Sequence, residues 1–451
     1  RNKYFRRYLG VIFASLFFIL GPFSGTALAD AGFTVTESSG STAVSESGST
    51  DTFTVVLDEQ PSSDVVFSVS TGDSGEATVS PTTLTFTSGN WNSAQTVTVT
   101  GVNDDLIDGS QTTTITLSVV DAISDDDFDS LADKTVSVST TDNDTASFTV
   151  AQSSGSTAVS ESGSTDTFTV VLGAQPASNV VISVTSGDTG EATVSPATLT
   201  FTSGNWNSAQ TVTVTGINDD LVDGTQTSTT TMSVVDASSD NNFDSLADQT
   251  VSVTTADTDV AGFTKIESGG STTVAESGTT DTFTVVLDAQ PASDVVISVT
   301  SGDTGEATVS PATLTFTSGN WNSAQTVTVT GVNDSLIDGS QNTTITMSVV
   351  DSISNDSFDS LADQTVTAAT TDNDTAGFTV TQSSGSTSVA ESGTTDTFTV
   401  VLNAQPNSDV VISVSSGDTG EATVSPATLT FTSGNWNSAQ TVTVTGVNDS
   451  L

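Results

Sequence analysis

The chain has 451 residues, of which 54 are acidic and six basic, for a net charge of −48, and it contains neither histidine nor cysteine. A Ser-His-Asp triad, a Cys-His pair, a His-ligated zinc site and any disulfide are therefore excluded. A surface this acidic repels nucleic acid and anionic membranes and attracts cations, while the Val, Thr, Ser and Phe content points to an all-β chain of several domains.

Four of the six basic residues, Arg1, Lys3, Arg6 and Arg7, precede an apolar run at residues 11–20 and then Ala27-Leu28-Ala29. Basic, apolar and small-x-small segments in that order form a secretory signal peptide. The apolar run is half the roughly 20 residues a membrane span needs. Residues 1–29 are thus expected to direct bacterial Sec-type export, giving a secreted or cell-surface protein with no membrane insertion once the leader is cleaved.

After the leader the chain repeats every 115 residues: the stretch beginning at Leu84 returns at Leu199, Leu314 and Leu429. Such a period marks tandem domains, expected at 30–145, 146–260, 261–375 and 376–451, the last lacking its final two strands. In the first unit, alternation of apolar and Thr/Ser residues predicts seven strands. These are 33–44 (broken at 38–41), 52–57, 65–70, 83–87 (with a short extra piece at 76–79), 96–100, 113–120 and 135–140. Phe53, Val55, Leu57, Leu84, Phe86, Val97, Val99, Ile115, Leu117, Val136 and Val138 should face inward. Seven short strands with frequent turns predict an immunoglobulin-like β-sandwich, and units joined without linkers predict a rod growing by roughly 35–45 Å per unit.

If successive strands alternate in direction, the turns after the first, third and fifth strands share one end of the sandwich with the tail after the seventh. Those turns carry Glu46, Asp73, and Asp104, Asp105 and Asp108; the tail carries Asp142 and Asp144. Like charges gathered this way repel unless a cation sits among them. Ca²⁺, which takes six to eight hard oxygen ligands, suits them better than Mg²⁺. The alternative is a set of solvated turns, since Asp, Asn and Gly favour turns anyway. The later units repeat the pattern at Glu161, Asp188, Asp219 and Asp223; at Glu276, Asp303, Asp334 and Asp338; and at Glu391, Asp418 and Asp449.

The ordered motifs Val-Ser-Glu-Ser-Gly, Gly-Asp-Ser-Gly-Glu-Ala, Asn-Asp-Asp-Leu-Ile-Asp-Gly and Asp-Asn-Asp resemble the Calx-beta domain, over each full unit. The resemblance implies an immunoglobulin-like sandwich that binds Ca²⁺ at this end, with the acids named above as ligands. It adds Asp220, Asp257 and Asp259 in the second unit and Asp372 and Asp374 in the third. Departures are Asn103 and Gln111 at positions often acidic in the family, Ser335 and Ser450 in place of Asp105, and the tail Asp257-Thr258-Asp259. Fewer carboxylates imply fewer or weaker ions, and one per junction is expected.

The opposite end carries Pro61, Trp91 and the acidic loop Asp125–Asp129, facing the preceding unit. An ion in the Asp142–Asp144 tail would lock neighbours, and without it the tail would act as a hinge. Trp91, Trp206, Trp321 and Trp436 read as turn packing rather than sugar platforms, and Asp125–Asp127 as a solvated loop rather than a second cation site. The function expected is a calcium-stiffened stalk of a cell-surface adhesin-like protein, non-enzymatic, with calcium ions and other surface proteins or glycans as partners. The alternatives are a glycan-binding module, or spacer repeats of an extracellular enzyme whose catalytic domain lies elsewhere.

Overall fold

The computed structural model describes residues 31–449, so the expected signal peptide lies outside the described residues. The first unit is built from β1 (Phe33–Glu37), β2 (Thr42–Ser45), β3 (Thr50–Leu57), β4 (Val65–Thr71), β5 (Ala77–Ser80), β6 (Thr83–Phe86), β7 (Gln95–Gly101), β8 (Gln111–Val119) and β9 (Lys134–Thr141). One sheet has the order β1-β3-β7-β5 and the other β2-β9-β8-β4-β6. This is an immunoglobulin-like sandwich, and it recurs in the second and third units with the same strand orders.

Period-2 patterning produces the two layers. In β7 the residues of Gln-Thr-Val-Thr-Val-Thr-Gly alternate, with Val97 and Val99 fully buried and the threonines facing out. The eleven residues expected inside are all buried, none more than 2% exposed. Fully burying a Val, Leu or Phe side chain stabilises by about 1.5–3 kcal/mol, so these stripes hold the layers together. Trp91 and its counterparts Trp206, Trp321 and Trp436 are partly buried against their units' cores.

The seven predicted strands become nine because the first splits and the short extra piece forms a strand of its own. After β1 the chain turns at Gly40 (φ 77°) and crosses between sheets. β1 pairs antiparallel with β3, whereas β2 pairs parallel with β9, from Thr42↔Val138 to Ser45↔Thr141. Asp51 pins the crossover: its carboxylate accepts from the Ser38 hydroxyl (2.6 Å) and the Ala43 amide (2.9 Å).

Successive units touch through the loop between β7 and β8. The Gln175 amide of the second unit donates to the Asp105 carbonyl (2.7 Å), and the Ile107 amide donates back to the Gln175 carbonyl (3.1 Å). Ile107 is 8% exposed and belongs to the second unit's core. At the next junction Leu221–Val222 runs parallel to Gln290–Pro291, with Val222 in the third unit's core. The apolar pair of this loop, Leu106-Ile107 in the first unit, makes the contact, since Ile107 leaves water for the second unit's core.

The fourth unit has a four-stranded sheet beside a two-stranded one among the described residues. No helix of the described residues is long and apolar enough to cross a membrane.

Candidate metal centre

Four segments distant in sequence converge at one end of each complete unit. Gly101 makes the approach feasible: a Cβ there would lie 2.2 Å from the Ser45 carbonyl oxygen, so only glycine lets β7 pass under the turn that follows β2. The same contact recurs at Gly216, Gly331 and Gly446. Backbone bonds complete the frame. The Glu46 amide donates to the Thr141 carbonyl (3.1 Å) and the Val102 amide to the Glu76 carbonyl (3.0 Å).

Within this frame, carboxylate oxygens of Glu46, Glu76 and Asp104 lie within 4.8 Å of one another, as do those of Glu46, Asp142 and Asp144. Glu46, only 2% exposed, is common to both trios. In the second unit the groups are Glu161, Asp257 and Asp259, and Glu161, Glu191 and Asp223; in the third, Glu276, Asp334 and Asp374.

Asp142 shapes the loop. Its Oδ2 accepts from the amides of Gly109 (2.9 Å) and Asp108 (3.2 Å), and its Oδ1 accepts from that of Asp144 (2.6 Å). Asp257 repeats this with Gly224, Asp223 and Asp259. Asp372 accepts from Gly339 and Asp374, bonds that hold its carboxyl below the usual range. Asp104, Asp219 and Asp334 accept from the amide two residues on, at Leu106, Leu221 and Leu336.

Other oxygens are left over. Oε2 of Glu76, Oδ1 of Asp108 and Oδ2 of Asp144 are buried without a hydrogen-bond partner, and so are their counterparts in Glu191, Asp223, Asp259, Glu306, Asp338 and Asp374. Burial first, and then the neighbouring carboxylates, pushes Glu76 and Asp144 above the usual range. Glu46 is also raised, by burial, against an opposing bond from the Asn143 amide and with Asp104, Asp142 and Glu76 adding to the rise. Two unit charges 4 Å apart interact by about 4 kcal/mol at an effective dielectric constant of 20. The carboxylates of these groups therefore repel one another, a cost that a bound cation would relieve. Carboxylates brought this close, several of them with a buried oxygen left unpartnered and with no nitrogen or sulfur donor among them, fit a hard divalent cation.

Several expected residues hold other positions. Asp73 spends Oδ1 on the Gly75 amide (2.8 Å), folding the turn before β5, and Asp188, Asp303 and Asp418 do the same. Asp105 and Asp220 meet the next unit through their carbonyls, with Ser335 in the same place at the third junction. Serine substitutes there because the backbone makes the bond. In the fourth unit Glu391 and Asp418 are exposed and Asp449 half-buried. Without counterparts of β8 and β9 among the described residues, nothing walls Glu391 in.

Glu76, Glu191 and Glu306 were missed by the sequence reading. The short strand was expected to start at 76, but it starts at Ala77 and leaves the glutamate at its mouth. The Gly-Asp-Ser-Gly-Glu-Ala motif was the available signal. At the opposite end, Asp125 is not a solvated loop residue: it is 4% exposed and accepts from the Ser62 hydroxyl (2.8 Å) and the amides of Ser63 (2.7 Å) and Asp127 (3.1 Å).

No protein-family model and no curated protein matches the chain. Among solved structures it is similar to the calcium-binding domain CBD12 of CALX1.1, at 15% identity over 45% of this chain and 79% of that one, with a TM-score of 0.20. A three-domain I-band fragment of titin aligns at 10% identity over 77% of this chain and all of that one (TM-score 0.22). Domains 4 and 5 of the S-layer protein SbsC align at 18% identity over 51% of this chain and all of that one (TM-score 0.22). At these scores the likeness is no basis for function.

Proposed function

We propose that the chain is a calcium-binding stalk: tandem Calx-beta-like sandwiches, exported to a cell surface, in which Ca²⁺ at the carboxylate end of each unit stiffens the junction to the next. The observation behind this reading is the placement of the orphaned oxygens of Asp108 and its counterparts on the very loop that enters the following unit. In the first unit Glu46, Glu76, Asp104, Asp108, Asp142 and Asp144 would hold the ion. A cation would replace mutual repulsion by shared coordination and fix the loop that carries Ile107. The role is structural, in support of an adhesive module. The glycan-binding alternative is less favoured, because Trp91 and its counterparts pack against their own cores.

Thermal melting of the chain in excess Ca²⁺ and in chelator tests this. Binding to the folded state alone adds about 2.7 kcal/mol at a free concentration 100 times Kd, so the transition should rise clearly with Ca²⁺ and less with Mg²⁺. Superimposable melts would remove the proposal.

A further inference from the structure

The junctions share a receptor. The glutamine that bonds the incoming loop follows Ala174, Ala289 or Ala404, which are 1%, 2% and 3% exposed. At the third junction Ile337 lines a cavity with Phe378, Ala404 and Pro406. In the complete units the same alanine shares a buried core with the entering side chain and the phenylalanine: Ala174 with Ile107 and Phe148, and Ala289 with Val222 and Phe263.

The first unit has the same face with different residues. Glu59 stands where the others have alanine, and it precedes Gln60, which is exposed, whereas Gln175, Gln290 and Gln405 are partly buried. Phe67 replaces Ile182, Ile297 and Ile412 and brings its ring within 4.7 Å of Phe33, filling the receptor from inside. The Lys134 ammonium sits 4.7 Å over the Phe33 ring and donates to the Phe33 carbonyl. Among the described residues no salt bridge joins it to Glu59.

We propose that Glu59 closes this receptor to any unit of the same kind. Ala174, Ala289 and Ala404 accept an Asp/Ser-Leu-Ile/Val-Asp-Gly loop, whereas Glu59 rejects it and ends the stack on that side. A carboxylate at that position would be buried beside the apolar plug and would face an incoming loop that is itself acidic. The array therefore has a direction: unit one donates a loop to unit two but receives none from a repeat like itself.

Placing the same side chain in a working receptor tests the idea. In the whole chain, Ala289→Glu should speed hydrogen exchange of the Gln290 amide, which donates to the Asp220 carbonyl, at least tenfold. Amides of residues 280–287 should stay protected, and Ala289→Ser should behave as the parent. The variants are compared in one buffer, so the outcome stands whether or not a cation binds. Unchanged protection at Gln290 in Ala289→Glu overturns the proposal. Should Ala289→Glu also loosen the strands, Ala174→Glu read at Gln175 is the second trial. Strand loosening at both sites overturns the proposal too, since the alanine would then serve its own sandwich rather than docking.

Discussion

Gly101 and Ser45 lie in such close contact that a single added carbon on the glycine would sit 2.2 Å from the serine carbonyl oxygen. This contact sets the separation between the turn bearing Glu46 and the loop bearing Asp104, so it governs both stability and the candidate metal centre. Gly101→Ala should destabilise the first unit by about 1–3 kcal/mol through overpacking and weaken ion binding there. Urea unfolding and calcium titration of the variant measure the two effects.

Glu76→Gln separates the energetic roles of a crowded carboxylate. With chelator present the variant should melt higher than the parent, because it removes a buried, unpartnered charge from among like charges. With calcium present it should bind more weakly, on the order of tenfold. Melting in both buffers, with calorimetric titration of calcium, shows whether the sign reverses.

The carboxylates predict an unusual pH profile without divalent cations. Glu46, Glu76 and Asp144 have folded-state pKa values raised above those of the unfolded chain. They destabilise the fold at neutral pH, and protonation relieves this as pH falls through the raised values. Asp125, lowered to about 2 by bonds from the Ser63 amide and the Ser62 hydroxyl, acts oppositely. Its contribution is complete above the ordinary aspartate value near 3.9 and is lost as pH falls towards 2. Stability in chelator should therefore rise from neutral pH into mild acid and drop below about pH 4. Chemical unfolding across pH 3–8 measures the curve, and excess calcium should flatten its neutral side.

At Asp125 the third unit already carries the informative substitution. Asn355 replaces it, accepts from the Ser357 amide (3.0 Å) and donates to the Ser293 hydroxyl (3.2 Å). Asp125→Asn should thus cost less than about 1 kcal/mol, whereas Asp125→Ala, which leaves buried donors unpaired, should cost about 1.5–3 kcal/mol. Urea unfolding ranks the pair.

Much of the sandwich was legible in the sequence because strand patterning is local. The alternation in residues 95–101 reveals an inward face directly, and parity then carries Glu46, Asp104 and Asp142 to one end. Three features were not legible. The crossover that pairs β2 with β9 depends on Asp51 reaching back to Ser38 and Ala43, which no periodicity records. Glu76 was hidden by a one-residue error in where β5 begins. Ile107 sits in a polar, acidic loop and reads as part of a turn, since its burial depends on the neighbouring unit, whose Gln175 lies 68 residues on.

The parallel pairing of β2 with β9 joins the second and the last strand of the sandwich side by side. Tension along the polypeptide would pass from β1 into β2 and leave through β9, pulling these two in opposite directions along their length. Their hydrogen bonds would then carry load together, in shear, and rupture would require all of them to fail at once rather than peel apart singly. Each complete module is thereby wired as a mechanical clamp in series with its neighbours.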